Sequence, residues 1–142
     1  MKTVAQVLES KAQEVVSVSP DSSVYDALAQ MAERQVGAVL VLERGTLVGI
    51  LSERDYARKV VLLGKTSRET TVRAIITERV VGVRPTHMLD ECMALMTDKR
   101  VRHLPVLDGN RVTGVISIGD VVKEMIAEQK FIIEQLEHYI MS

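Results

Sequence analysis

Two short segments of the chain repeat the same three residue types at the same spacing. They are Gly49, Ser52 and Asp55, and then Gly114, Ser117 and Asp120. Where a helix begins at the serine, the hydroxyl and the carboxylate three residues later share its first turn. Such a pair either caps the helix or presents a hydroxyl, a carboxylate and free backbone N–H groups to a ligand. The carboxylate suits the cis-diol of a sugar, and the N–H groups suit a phosphate.

Each of these segments lies at the end of a longer internal repeat. When the chain is shifted by 65 residues, 12 of the 41 positions from Val15 to Asp55 are identical to their counterparts. Each copy has an extended apolar run ending at a proline, an amphipathic helix, two strands joined by a short turn, and a second helix. The sequence therefore predicts an α/β fold of two β-α-β-β-α repeats.

The predicted elements follow the same order in both copies. The strands are residues 15–18, 38–42 and 47–51, then 80–83, 103–107 and 112–116, with the first helices over 24–31 and 89–96. The second helices begin near Ser52 and Ser117. We predict repeat 1 over residues 1–64, repeat 2 over 65–128 and a helical extension over 129–142.

The composition excludes several classes of protein. A net charge of −1 gives no basic field for nucleic acid, and 3% aromatic residues leave little for stacking on bases. No apolar stretch is long enough to cross a bilayer, and no export signal is visible. The single cysteine, Cys92, agrees with a reducing compartment. We expect a cytoplasmic protein without nucleic-acid or membrane partners.

The two segments with glycine, serine and aspartate at three-residue spacing, together with the segment Arg102-His103-Leu104-Pro105-Val106, resemble the tandem CBS domains of a Bateman module. The resemblance is to the small, stand-alone bacterial members. It implies two pseudo-symmetric repeats packed sheet to sheet and pairing into disc-like dimers. It also implies that the serine and aspartate of one repeat hold the ribose and phosphate of an adenosine ligand against strand edges of the other repeat.

The resemblance implies two sites. The favoured site comprises Ser117, Asp120, Val115, Ser19, Ala27, Val36, Gly37 and Ala38. The second site comprises Ser52, Asp55, Ile50, Arg84, Cys92, Val101, Arg102 and His103. Arg54, Arg58 and Lys59 either reach a polyphosphate or form a solvated helix face. In the second copy Arg102 and His103 replace a glycine and an alanine, so they either pair with phosphates or obstruct the adenine. His103 alternatively serves only as a hydrogen-bonded strand residue.

No catalytic or metal-binding pattern is visible. His87, His103 and His138 lack the spacing of a zinc site, and no phosphate-binding glycine loop or nucleophile motif occurs. Cys92 falls on the predicted core stripe of a helix, where an inert thiol is favoured over a nucleophile. We predict that the chain is not an enzyme and requires no metal.

After Asp120 a helical pattern continues to the end of the chain. Its apolar stripe comprises Val122, Met125, Ile126, Ile132, Ile133, Leu136, Tyr139 and Ile140. Near-heptad spacing favours contact with a partner helix, the alternative being that the helix folds back on its own repeat. We expect a homodimer or higher homo-oligomer with this helix at or beside the interface.

Together these features predict a regulatory sensor that signals nucleotide occupancy to an unidentified regulated protein through a conformational or oligomeric change. AMP is the favoured ligand, followed by NAD, then ATP or ADP, then S-adenosylmethionine, since all contain the adenosyl ribose. The main alternative is a ligand-independent dimerisation module with vestigial sites. A nucleotide hydrolase is the weaker alternative, because its only candidate bases, Asp55, Asp120 and His103, fit binding roles better.

Overall fold

The computed structural model describes residues 1–11, 15–76 and 80–141, so residue 142 of the predicted extension lies outside the described part. The described residues form two compact units. The first-repeat unit contains residues 15–76, 80 and 110–112, and the second-repeat unit contains residues 1–11, 81–109 and 113–141.

The helices and strands follow the predicted order, with one additional helix at the start of each copy. In chain order they are α1 (Val4–Ser10), β1 (Ser17–Val18), α2 (Val24–Arg34), β2 (Ala38–Glu43), β3 (Thr46–Ser52), α3 (Glu53–Tyr56), a π-helical segment (Ala57–Val61), α4 (Val72–Ile75), α5 (Leu89–Lys99), β4 (His103–Asp108), β5 (Arg111–Ser117) and α6 (Ile118–Met141). The predicted mixed α/β fold with a duplicated unit and a long C-terminal helix is confirmed.

The first-repeat unit contains a three-stranded sheet in the order β1-β2-β3. β1 runs parallel to β2, and β2 pairs with β3 as an antiparallel hairpin. Arg44 and Gly45, at the tip of this hairpin, both have positive φ, at 52° and 79°. At the open end Ala38 pairs with Ser52, so the start of β2 lies beside the end of β3.

The first helix of each repeat buries the stripe that the spacing predicts. On α2 the buried residues are Val24, Ala27 and Met31, and on α5 they are Leu89, Cys92 and Met96. Ser23 is the N-cap of α2, and its side-chain oxygen accepts the Asp26 N–H. In each unit these helix residues pack with buried strand residues to form one apolar core.

The predicted strand over residues 80–83 is wrong in its extent, since only Val83 forms a β-bridge, with Val106. In the first repeat the Leu40 N–H donates to the Val16 carbonyl at 3.0 Å and extends the ladder beyond Ser17. The equivalent residue of the second repeat is Pro105, which has no N–H to donate. The ladder of the second repeat is therefore one hydrogen bond shorter.

The additional helices α1 and α4 each belong to the unit built mainly from the other repeat. Val4 and Val7 of α1 pack in the core of the second-repeat unit, and the Val4 N–H donates to the His87 carbonyl at 2.8 Å. Val72 and Ile75 of α4 pack in the first-repeat core. The leading helices are thus exchanged between the repeats, and neither compact unit is a continuous stretch of chain.

Helix α6 has 24 residues, and among its described residues only Val121 is buried. Its second half exposes seven apolar residues, each at least 49% exposed: Phe131, Ile132, Ile133, Leu136, Tyr139, Ile140 and Met141. The predicted stripe contributes five of these residues, whereas Met125 of the same stripe packs against the core of its own unit. Contact of the exposed part with a partner remains a prediction.

Candidate functional site

Ser117 and Asp120 form a closed hydrogen-bonded arrangement at the start of α6. The Ser117 backbone N–H donates to Asp120 Oδ2 at 2.8 Å, and the Asp120 N–H donates to Ser117 Oγ at 3.1 Å. This is the reciprocal pattern of a capping box. Both side chains are half-buried, so the Ser117/Asp120 corner remains open to solvent.

Ser52 and Asp55 form the same arrangement at the start of α3. The Ser52 N–H donates to Asp55 Oδ2 at 2.9 Å, and the Asp55 N–H donates to Ser52 Oγ at 3.2 Å. The Ser52 hydroxyl also donates to Asp55 Oδ2, at 3.0 Å. α3 has four residues and continues into the π-helical segment. We call this arrangement the Ser52/Asp55 corner.

The serine–aspartate spacing alone is a capping pattern, because it also occurs where no site is predicted. At the start of α2 the Asp26 N–H donates to Ser23 Oγ at 3.1 Å. Residue 20, three positions before Ser23, is proline rather than glycine. The two corners differ from this cap in following a strand that carries a buried glycine.

Gly114 and Gly49 are buried, and because they lack a side chain the leading helices can approach the strands closely. A Cβ on Gly114 would lie 2.7 Å from Leu8 Cδ2, and a Cβ on Gly49 would lie 3.0 Å from Ile76 Cδ1. Leu8 and Ile76 are equivalent residues: Leu8 lies in the last turn of α1, and Ile76 directly follows α4. Close packing against these side chains therefore explains why glycine precedes both serines.

Lys11 binds the carboxylate of the Ser117/Asp120 corner. Its Nζ donates to Asp120 Oδ2 at 2.7 Å and to the Val115 carbonyl at 2.9 Å. Burial opposes ionisation of Asp120, but hydrogen bonds from Lys11 and Ser117 outweigh it and hold the pKa of this carboxyl below its usual range. Lys11 was not predicted from the sequence, since no motif marks it and 109 residues separate it from Asp120.

The two carboxylates differ in what their second oxygen contacts. Asp55 Oδ1 lies 3.6 Å from Lys59 Nζ, and the same ammonium donates to the Ile75 carbonyl at 3.0 Å. Among the described residues, Asp120 Oδ1 has no hydrogen-bond partner. One oxygen of the Ser117/Asp120 corner therefore remains available to a ligand hydroxyl.

In each repeat, the residue just before the first strand of the hairpin lies beside the corner of that repeat. The Ile118 N–H donates to the Arg102 carbonyl at 2.9 Å, and the Glu53 N–H donates to the Gly37 carbonyl at 3.1 Å. The resemblance assigns Arg102 to the Ser52/Asp55 site and Gly37 to the other site, and both assignments remain predictions. The adjacency within each repeat was missed, although the predicted strand bounds already placed residues 38 and 52 at one end of a hairpin.

The other residues predicted for the favoured site lie in the first-repeat unit or on β5. Ser19 is exposed after β1, and Ala27 is buried in the core of its unit. The half-buried members are Val36, Gly37, Ala38 and Val115. Their assignment to a ligand site remains a prediction.

The residues predicted for the second site and for phosphate contacts have mixed exposure. Arg58, Arg84 and Arg102 are exposed. The half-buried members are Ile50, Arg54, Lys59, Val101 and His103. The exposed guanidinium groups are accessible to an anion from solvent.

Cys92 lies fully buried on the core face of α5, as predicted. Burial raises the pKa of its thiol to about 11, and the neighbouring Glu91 and Asp90 carboxylates act in the same direction. A thiol reacts as the thiolate, so Cys92 is inert in the folded protein near neutral pH.

This inertness is testable with a thiol reagent. At pH 7.5 we expect Cys92 to react with Ellman's reagent at least about a hundredfold more slowly in the folded protein than in guanidinium chloride, because burial limits both access and ionisation. The release of thionitrobenzoate measures both rates. Equal rates would show that the thiol is accessible and reactive, contrary to its burial.

Within residues 1–11, 15–76 and 80–141, no three histidine, cysteine or acidic side chains cluster as metal ligands. No helix there has the length and apolar composition needed to cross a membrane.

Known proteins with related sequences or folds place these observations in a family. The CBS-domain family matches residues 4–62 and 72–127. The mitochondrial CBS domain-containing protein CBSX3 of Arabidopsis thaliana is 37% identical, over 97% of this chain and 71% of its own length.

Solved structures agree with this assignment. A CBS-domain protein from Burkholderia ambifaria is 50% identical and superposes with a TM-score of 0.86, covering 90% of this chain and 96% of its own. A hexameric CBS-CP12 protein from bloom-forming cyanobacteria is 26% identical with a TM-score of 0.77, covering 85% of this chain and 70% of its own. The predicted resemblance is confirmed, and the chain belongs to the CBS-domain family, with two tandem CBS repeats.

Proposed function

We propose that this chain is a regulatory module that binds an adenosine nucleotide at its serine–aspartate corners and passes the occupancy to a partner protein. CBS domains are generally regulatory and generally bind adenosine nucleotides. The observation that carries the proposal is the duplicated corner itself. In both repeats a half-buried serine and aspartate cap a helix that directly follows a strand.

The chemistry of each corner fits a ribose with a phosphate. Oδ2 of each aspartate holds the capping hydrogen bond, which fixes the carboxylate in place. Oδ1 of a fixed carboxylate can accept a hydrogen bond from a sugar hydroxyl without a cost in ordering the side chain. The helix N-terminus beside it favours a phosphate.

The Ser117/Asp120 corner is the favoured site. It begins a 24-residue helix, whereas the Ser52/Asp55 corner begins a helix of four residues. Lys11 binds its carboxylate, and the Arg102 carbonyl accepts the Ile118 N–H at the start of this helix. The helix N-terminus and the Lys11 ammonium favour an anionic ligand at this corner.

The proposed ligands are AMP first, NAD next, then ATP or ADP, and S-adenosylmethionine last. All carry the same adenosyl ribose, so the corner alone does not distinguish them. The Lys11 ammonium at the Ser117/Asp120 corner favours ligands that carry a phosphate. At the Ser52/Asp55 corner Arg54, Arg58 and Lys59 would contact a phosphate chain.

Occupancy would be transmitted through a change in assembly. The exposed apolar residues of α6 supply a surface for self-association, and the CBS-CP12 relative forms a hexamer. A ligand shifts such an equilibrium only by the difference in its affinity for the two states. We propose a homodimer or higher homo-oligomer that contacts a regulated protein.

A second candidate function is a structural dimerisation module without a ligand. One observation favours it: both carboxylates already accept hydrogen bonds within their own capping boxes. Such corners would stabilise their helices without binding a nucleotide.

Calorimetry against a panel of ligands separates the two candidates. We expect AMP, NAD or another adenosine nucleotide to bind with a dissociation constant in the micromolar range, about 8 kcal/mol at 1 μM. GMP tests whether the adenine matters, and ribose 5-phosphate tests the sugar and phosphate alone. If none of the adenosine ligands produces a heat of binding at millimolar concentration, the structural module is favoured.

A further inference from the structure

Lys11 occupies the oxygen of the Ser117/Asp120 corner that a ligand would otherwise share. Its ammonium lies 2.7 Å from Asp120 Oδ2, the same oxygen that accepts the Ser117 N–H. A second hydrogen bond, to the Val115 carbonyl, fixes its position. Oδ2 therefore has two strong donors before any ligand arrives.

A sugar diol binds through both oxygens of a carboxylate, whereas Lys11 already contacts one oxygen of Asp120. Two adjacent hydroxyls bind a carboxylate best when each donates to a different oxygen. With Lys11 in place, only Oδ1 of Asp120 is without a partner among the described residues. Binding of the diol to both oxygens therefore requires the ammonium to move away from Oδ2.

The movement of Lys11 is unfavourable unless the ammonium finds a new anion. The side chains of Lys11 and Asp120 are only 20% and 21% exposed, so water screens the pair weakly. A nucleoside brings no negative charge to replace the lost contact, whereas a nucleotide brings its phosphate. The flexible four-carbon stem of lysine lets the ammonium follow that phosphate while the backbone stays in place.

We propose that Lys11 makes the Ser117/Asp120 corner selective for phosphorylated adenosine ligands over adenosine itself. In the free protein its ammonium neutralises Asp120, and in the complex it binds the ligand phosphate. This inference rests on the proposed nucleotide function and adds the residue that discriminates between ligands.

The Ser52/Asp55 corner lacks this arrangement among the described residues. Its lysine, Lys59, lies 3.6 Å from Asp55 Oδ1 rather than on the capping oxygen, and it belongs to the helical segment after the corner. Lys11 instead reaches Asp120 from the residue that ends α1. The selectivity is therefore assigned to the Ser117/Asp120 corner.

The test compares adenosine and AMP binding to the parent protein and to Lys11→Met, which keeps the apolar stem and removes the charge. We expect adenosine to bind more tightly to Lys11→Met and AMP more weakly, so that the ratio of the two affinities falls at least about tenfold. Lys11→Arg retains a cation and should keep the ratio within about threefold. Lys11→Gln replaces Lys11→Met if the latter does not fold.

Lys2→Met is the matched control, because Lys2 also pairs with α6, through Glu124 at 3.1 Å. We expect it to leave the ratio unchanged. A parent protein that binds AMP, together with an unchanged ratio in Lys11→Met, would overturn the role of Lys11 and leave the nucleotide function intact. A parent protein that binds neither ligand would overturn the proposed function and this inference with it.

Discussion

Asp120→Asn is expected to fold like the parent protein and to bind AMP at least about tenfold more weakly at the Ser117/Asp120 corner. The asparagine carbonyl can still accept the Ser117 N–H, so the helix cap is retained. The variant loses the negative charge that pairs with Lys11 and strengthens the hydrogen bonds from the ribose hydroxyls. Calorimetry with AMP measures the loss, and circular dichroism confirms the fold.

Two asparagine controls make the result specific. Asp26→Asn changes an aspartate three residues after a capping serine outside the corners, and we expect no effect on AMP affinity. Asp55→Asn changes the other corner, so it shows whether a second site contributes to the isotherm. Unchanged AMP affinity in Asp120→Asn would exclude this carboxylate from the site.

Alanine at position 120 is less suitable, because it removes the cap as well as the charge. The lowered pKa of Asp120 means that its ionised form stabilises the folded state at pH values above its ordinary pKa. That contribution is lost as the pH falls through the lowered value. Asp120→Ala should therefore lower stability at neutral pH, by about 1.5–3 kcal/mol, and much less in acid.

Deleting residues 131–142 is expected to dissociate the proposed homo-oligomer into lower-mass species. The deleted residues carry the exposed apolar surface of α6, including Leu136 at 56% and Ile140 at 79% exposed. Covering such side chains at an interface contributes about 1.5–3 kcal/mol each, so several together decide whether the assembly forms. Light scattering coupled to size exclusion measures the mass.

A pair of point variants controls for the loss of a whole segment. Leu136→Glu places a charge on the apolar stripe and should reduce the mass, whereas Gln135→Glu adds the same charge about 100° away around the helix and should not. The same mass for the truncated and parent proteins would show that the interface lies elsewhere or does not form.

The strands, hairpins and α2, α5 and α6 were predictable because their signals are local. Apolar residues at helical spacing from Val24 to Met31 gave α2, and the duplication gave α5. The leading helices also have a local signal that was not used, since Thr3 and Gln6 form a capping box and Val4, Val7 and Leu8 have helical spacing. Thr71 and Val72 repeat the start of this pattern.

What local signals could not predict was which core each leading helix joins. Val4 and Val72 are apolar residues at equivalent positions, and nothing in their spacing shows that the helices are exchanged between the units. The exchange is what brings Leu8 against Gly114 and Lys11 against Asp120. The corner residues were therefore readable from sequence, whereas the cation that binds one of them depends on the three-dimensional packing.

An AMP titration followed by backbone amide chemical shifts tests most directly whether the corners hold the ribose. We expect the largest shifts at residues 117–120, with smaller or separate shifts at residues 52–55, because the ligand hydroxyls would bind the carboxylates that accept the Ser117 and Ser52 amide protons. Binding of AMP that leaves the amides of both corners unshifted would contradict the proposed site. So would the absence of any shift at saturating AMP.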